Sequence, residues 1–396
     1  LNPHHPKLTG GARPGGLEKQ ISIRWLAWKI PVMRAILFLL LLALRAPAGD
    51  LQLTLPPVVY AVPGVPLSIY YDNVVLTPNP EGYRFEVSCA AGVSEARRWT
   101  LTATEAQVGD HPLSIVVKDA AGAVIEQGKT TLHISPREAG QGKTVRLLIV
   151  GDSLTHATHY PNELARLFAE PGNPRLVFLG THRPAAARDG VAHEGYGGWT
   201  WSRFLTQFSP AEPGVTAGPL ASKATSPFVF PSVDGKTGVF DLPRYFREHC
   251  AGLPPDVVLF LLGINDCFGA DPENPDPRIE LMLKQADGLL AAFHQAAPEA
   301  MLAVGLTTPP NSRQAGFTAN YQDRYPRWGW KRIQHRLDQR MIEHLTGRES
   351  EGIRIVPTEL NLDPVDGYPE NNGVHPNPVG YAQIAAAFHA ALKAEW

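Results

Sequence analysis

Three polar residues stand in short stretches whose types and spacing suit acyl chemistry. Ser153 lies in "VRLLIVGDSLTH", Asn265 in "GINDC", and His375 in "NGVHPNPVGYAQIA". A serine hydroxyl is a poor nucleophile until a base takes its proton. A neutral histidine has the pKa range for that task. The oxyanion that then forms needs fixed donors, which an Asn amide and backbone N–H groups supply. A fourth stretch, "HEGYGGWTW" from His193 to Trp201, carries paired glycines that let a backbone approach a ligand closely. Taken singly, each stretch also reads as a plain turn: Asp152 and Ser153 as caps, Asp266 as a satisfier of loop N–H groups, and Trp199 and Trp201 as core or as site walls. His193 and His335 read as structural, and Arg313 and Trp328 as positioned for substrate contact.

The elements around these stretches fit an α/β domain. Apolar runs predict strands at Val145–Val150, Arg175–Leu179, Val257–Leu262, Met301–Leu306 and Ile353–Val356. Helical stretches fall near 161–169, 242–250, 279–296, 328–346 and 378–394. Strands joined by helical crossovers imply a parallel sheet covered on both faces, a three-layer α/β/α, flavodoxin-like arrangement with order 2-1-3-4-5. Its switch point lies between the first and third strands, and the loops after those strands carry Ser153 and Asn265. Residues 205–240, rich in Pro, Gly, Ser and Thr, read as one irregular lid or binding loop.

In this order, the four stretches resemble the SGNH (GDSL-type) hydrolases, and "HEGYGGW" resembles the second block of secreted bacterial carbohydrate acetylesterase-like members. The resemblance covers roughly residues 145–394. It implies that Ser153 is the nucleophile and His375 the base. It also implies an oxyanion hole of the Ser153 N–H, the Gly198 N–H (with Gly197 and Gly195 as alternates) and the Asn265 amide. One position departs from the pattern. Where the family has Asp three residues before the histidine, this chain has Asn372. Asn accepts the imidazole Nδ1–H through its carbonyl oxygen but brings no charge, and an amide turned the other way would select the wrong tautomer. Three readings stay open: Asn372 or a backbone carbonyl orients His375, Glu370 or Asp366 is the acid partner, or the domain binds without catalysis. The expected activity is hydrolysis of short-chain, acetyl-type esters on a polysaccharide, with no cofactor. The alternatives are a lipid or aryl esterase and a catalytically degenerate carbohydrate-binding protein. No long apolar lid helix is legible, which argues against a lipase.

The rest of the chain sets bounds. Residues 50–135 alternate apolar and polar ("LQLTL", "PLSIVV", "TTLHIS"), as an immunoglobulin-like β-sandwich would. Residues 136–143 read as a linker and 144–396 as the hydrolase domain. "MRAILFLLLLALRAPAGD", from Met33, has the basic start, the apolar run and the Ala46/Ala48 small-residue site of a signal peptide at 33–48. Residues 1–32 are then an upstream or disordered segment. The expected location is secreted or periplasmic, with no membrane contact in the mature form. Residues 1–48 hold seven Lys/Arg and one acid, so the remainder has 29 basic and 37 acidic residues. An acidic body without a basic run excludes nucleic acid as a main partner. Cys89, Cys250 and Cys267 have no spacing suited to a disulfide framework. His156 and His159 lack the partners of a metal site.

Overall fold

Alternating side chains from Val58 to Ile134 form seven strands in a computed structural model that describes residues 53–210 and 224–396. They are β1 (Val58–Ala61), β2 (Pro66–Tyr70), β3 (Arg84–Ser88), β4 (Val93–Ser94), β5 (Arg98–Thr102), β6 (Gly109–Lys118) and β7 (Val124–Ile134). One sheet runs β1-β7-β6-β3, the other β2-β5-β4, and every pairing except the parallel β1–β7 is antiparallel. Ile69, Trp99, Ile115 and Leu132 from the two sheets join one apolar cluster. The turn between β6 and β7 is pinned by Asp119, whose Oδ1 accepts the Ala123 N–H at 2.9 Å. The readings of residues 1–32 and of a signal peptide at 33–48 lie outside the described residues.

From Thr144 the pattern changes to strand and helix. β8 (Thr144–Gly151), β9 (Arg175–Leu179), β10 (Glu194–Gly195), β11 (Val229–Pro231), β12 (Gly238–Phe240), β13 (Val257–Leu261), β14 (Met301–Gly305) and β15 (Ile353–Val356) follow in turn. The parallel sheet runs β9-β8-β13-β14-β15, the order expected from the sequence. β13 and β14 are buried at every residue, as strands covered on both faces must be. The principal helices span His159–Phe168, Leu242–His249, Asp276–Ala296, Arg327–Leu345 and Pro378–Lys393. Two features differ from expectation. The tail of β8 gains a two-residue partner, β10, too short to leave a pattern in sequence. Within 205–240, β11 and β12 form an antiparallel hairpin, so that stretch is not one irregular loop; residues 211–223 lie outside the described residues. Among the described residues no helix is long and apolar enough to cross a membrane.

The strands of 58–134 and the sheet that follows pack as parts of one unit, Asp50–Trp396. Polar contacts far apart in sequence join them. Asn73 Nδ2 donates to the carbonyl of Leu362 at 2.8 Å, and Asn361 Nδ2 to that of Ser68 at 2.8 Å. Lys331 Nζ meets Asp72 Oδ1 at 2.8 Å, in a setting where burial lowers the lysine pKa and the Asp72 charge opposes that shift. Leu360 enters the apolar cluster of the first seven strands. Its neighbour Glu359 is 1% exposed, and burial raises its carboxyl pKa well above the usual range, with the nearby Asp338 pushing the same way. A buried carboxyl of this kind holds its proton rather than carrying an uncompensated charge.

Candidate active site

β8 ends on Gly151 because nothing larger fits there. A Cβ at this position would lie 1.8 Å from Thr155 Oγ1. Asp152 then caps the one-turn helix Ser153–His156, its Oδ1 accepting the Leu154 N–H at 2.9 Å. The turn leaves the Ser153 side chain half-buried at the carboxyl end of the sheet. Its Oγ lies 2.8 Å from His375 Nε2. Residues 222 positions apart in sequence are thus in hydrogen-bond contact.

His375 is fixed from its other side. Asn372 Oδ1 accepts the backbone N–H groups of Val374 at 3.1 Å and His375 at 2.9 Å, and lies 3.3 Å from His375 Nδ1. Two backbone donors on one atom settle which end of the amide faces the ring. An oxygen there receives a proton from Nδ1, which leaves the Nε2 lone pair aimed at the serine hydroxyl. Burial lowers the His375 pKa from its ordinary value, favouring the neutral ring a base requires. The two candidate acids lie elsewhere. Asp366 is exposed and pairs with Arg97 at 3.2 Å, and Glu370 is exposed.

Asn311 was not anticipated from sequence. Its Nδ2 donates to the carbonyls of Pro369 and Asn372, both at 2.9 Å, its N–H to the Gly373 carbonyl at 2.9 Å, and its Oδ1 accepts the Arg313 N–H at 2.9 Å. One fully buried amide therefore holds the loop that presents Asn372 and His375. Arg313, read as a substrate contact, donates Nη1 to the Val365 carbonyl at 2.7 Å and braces the same loop.

The candidate oxyanion donors lie across the switch point. β13 ends at Leu261, and after Gly263 the short helix Ile264–Cys267 presents Asn265. Asn265 Nδ2 donates to the Trp199 carbonyl at 3.0 Å and to Asp152 Oδ2 at 3.2 Å. These bonds hold it beside the glycine loop and the Ser153 turn. Gly198, just before Trp199, is exposed and has φ of 75°, a conformation that favours glycine. Of the alternates, the Gly195 N–H is taken by His193 Nδ1 at 3.0 Å. His193 Nε2 lies 3.1 Å from Thr158 Oγ1, and burial lowers the ring's pKa to about 3, so it stays neutral and structural. Asp152 is 1% exposed, and burial, reinforced by Asp266, raises its pKa to about 7 against the pull of the Leu154 N–H. Asp266 Oδ1 accepts the Trp201 N–H at 3.2 Å. Trp199 and Trp201 are 0% and 1% exposed, so both are core rather than site wall. His335 is likewise buried, against Thr54. Among the described residues no group of three or more His, Cys, Asp or Glu is arranged to hold a metal ion.

One expected result follows from the Asn265 placement. Asn265→Ala should lower kcat on an aryl acetate by about 10²- to 10³-fold with KM little changed, the signature of a lost oxyanion donor. Steady-state kinetics on the folded variant checks this, and a change in KM alone would assign Asn265 to substrate binding.

The model of the GDSL-like lipase/acylhydrolase family matches residues 147–388. Among solved structures, the chain is similar to a family 3 carbohydrate esterase of Clostridium thermocellum (18% identity, TM-score 0.37, covering 62% of this chain and 94% of that one). It is also similar to a family 3 carbohydrate esterase from Talaromyces cellulolyticus (16%, TM-score 0.38, 63% and 96%). An acetylxylan esterase from Geobacillus stearothermophilus aligns at 16% identity and TM-score 0.32, covering 63% and 94%. No curated protein matches in sequence. The family match spans more than half of the chain and takes in the serine, asparagine and histidine turns alike, so the chain belongs to the GDSL-like lipase/acylhydrolase family and is a carboxylic ester hydrolase.

Proposed function

We propose that this hydrolase is an exported serine esterase that removes short acyl groups, acetyl above all, from a polysaccharide. The observation that carries the catalytic part is the 2.8 Å contact between Ser153 Oγ and His375 Nε2, with Asn372 Oδ1 behind the ring. Ser153 Oγ attacks the ester carbonyl carbon while His375 Nε2 takes the hydroxyl proton. The carbonyl oxygen becomes an oxyanion, held by the N–H groups of Ser153 and Gly198 and by Asn265 Nδ2, which turns one hydrogen from its present acceptors. His375 returns the proton to the leaving alcohol as the carbon–oxygen bond breaks. Water then attacks the acyl-serine, gives its proton to His375, and releases the acid as Ser153 recovers its hydrogen.

Export is supported by the sequence from Met33 to Ala48 alone. The strands of 58–134 fit an immunoglobulin-like sandwich beside the catalytic part. The competing reading, a carbohydrate binder on the same fold, draws its support from the amide at Asn372. Acetate release from acetylated xylan oligomers, measured beside p-nitrophenyl acetate and p-nitrophenyl palmitate, decides. Turnover of the oligomers and the short ester is expected. Preference for the palmitate would make the protein a lipid esterase, and binding of the oligomers with no turnover of any ester would make it a binder.

A further inference from the structure

A cavity of about 520 Å³ opens where the β-strands of 58–134 meet the loop that carries His375. Tyr71, Tyr83 and Phe85 line one side, and Ser312, Arg327 and Val365 are on the other. Tyr71 and Phe85 stack in parallel at 4.5 Å, with an interplanar angle of 5°. Phe85 and Tyr83 are half-buried, so part of each ring stays available. Arg97, also on the cavity, is held in a fixed pose by Asp363 at 3.1 Å and Asp366 at 3.2 Å. Arg327 Nη1 donates to the Ser312 carbonyl at 3.1 Å. Partly open aromatic faces next to guanidinium and carboxylate groups already fixed by their own partners suit a ligand with apolar faces and a ring of hydroxyls. That is the chemistry of a sugar. An acyl chain would instead have to bury the charges of Arg97 and Asp72, which is costly.

The position matters as much as the lining. Ser312 N–H bonds the Pro364 carbonyl at 2.7 Å, and the neighbouring Asn311 bonds the Asn372 carbonyl at 2.9 Å. The cavity wall and the orienting residue of the base therefore belong to one braced loop. We propose that this cavity is a saccharide subsite, which takes sugar residues of the polysaccharide flanking the ester under attack. It rests on the polysaccharide reading above, and it assigns the β-strand region a share in substrate binding.

The test separates the two claims. Ser153→Ala protein, which cannot turn over substrate, is titrated with unmodified xylo-, cello-, manno- and galacturono-hexasaccharides and followed by calorimetry. Saturable binding of at least one is expected, weakened about tenfold or more by adding Tyr83→Ala, restored by Tyr83→Phe, and weakened by the exposed Arg97→Gln. In the catalytically intact chain, Tyr83→Ala and Arg97→Gln should raise KM for the acetylated oligomers while leaving p-nitrophenyl acetate kinetics unchanged. No saturable binding, or binding unaffected by both Tyr83→Ala and Arg97→Gln, overturns the subsite. Equal losses on the oligomer and the aryl ester overturn it too, since they mark a structural role. Sugar binding that responds to these variants while wild type leaves the acetylated oligomers intact upholds the subsite and removes the polysaccharide-esterase reading. Oligomer turnover without sugar binding does the reverse.

Discussion

Ser153→Ala should abolish ester hydrolysis, lowering kcat by about 10⁴-fold or more, while the folded state is retained. The size follows from the chemistry. Without the hydroxyl there is no acyl-enzyme, and only the oxyanion donors and the binding surface still act on water attack. The fold has little reason to change. Ser153 is half-buried, and the cap of its helix is the Asp152 carboxylate on the Leu154 N–H at 2.9 Å, which does not involve the serine side chain. Turnover of p-nitrophenyl acetate, with circular dichroism and a thermal melt for the fold, checks both parts. Wild-type turnover in the folded variant would remove Ser153 from the mechanism.

Changes at the base and its orienting residue should produce the second largest effects, in a definite order. His375→Ala should approach the loss seen for Ser153→Ala, since nothing else takes the hydroxyl proton. Asn372→Ala should cost less, about 10- to 100-fold, because it removes the Nδ1 acceptor and the two backbone N–H bonds that shape the turn. Asn372→Asp keeps an oxygen in that position and adds a negative charge about 3 Å from the ring. Its kcat should match or exceed that of wild type. The charge also raises the histidine pKa, opposing the lowering that burial imposes. Activity needs the neutral ring, so the acidic limb of kcat/KM should move to higher pH in Asn372→Asp, by about one to two units. A limb that stays in place would mean that the base does not sense this side chain. A loss in Asn372→Asp matched by an equal loss in Glu370→Ala or Asp366→Ala would transfer the orienting role to that acid.

The sheet and the candidate site residues were legible because their signals are local. β8, β13 and β14 are runs of buried apolar side chains, and strand order follows from crossovers that leave few choices. Ser153, Asn265 and His375 stand at element ends, in loops that the predicted strand order already placed at one end of the sheet. The rest depends on contacts that leave no local mark. Asn311 is one polar residue in a loop, and its role exists only because the chain returns at Pro369 and Asn372. The helix Arg327–Leu345 carries Lys331, Gln334, His335 and Asp338, four polar residues of which only His335 read as structural. All four are buried, because Asp72, Thr54 and Thr307 meet them from elsewhere in the chain. The even choice for Trp199 and Trp201 resolved to core because the helix Trp201–Thr206 packs inward, with Trp201 stacked on Phe260 at 5.3 Å.

The claim at the centre is that His375 activates Ser153 and no other residue. Covalent labelling with a fluorophosphonate, read by peptide mass spectrometry, tests it most directly, because such a probe captures a serine whose proton is being drawn by a base. One adduct per chain on the peptide containing Ser153 is predicted, formed rapidly in wild type, retained in Asn372→Asp, and slowed by orders of magnitude in His375→Ala. An adduct on another residue, or labelling of Ser153 at the same rate without His375, would contradict the account.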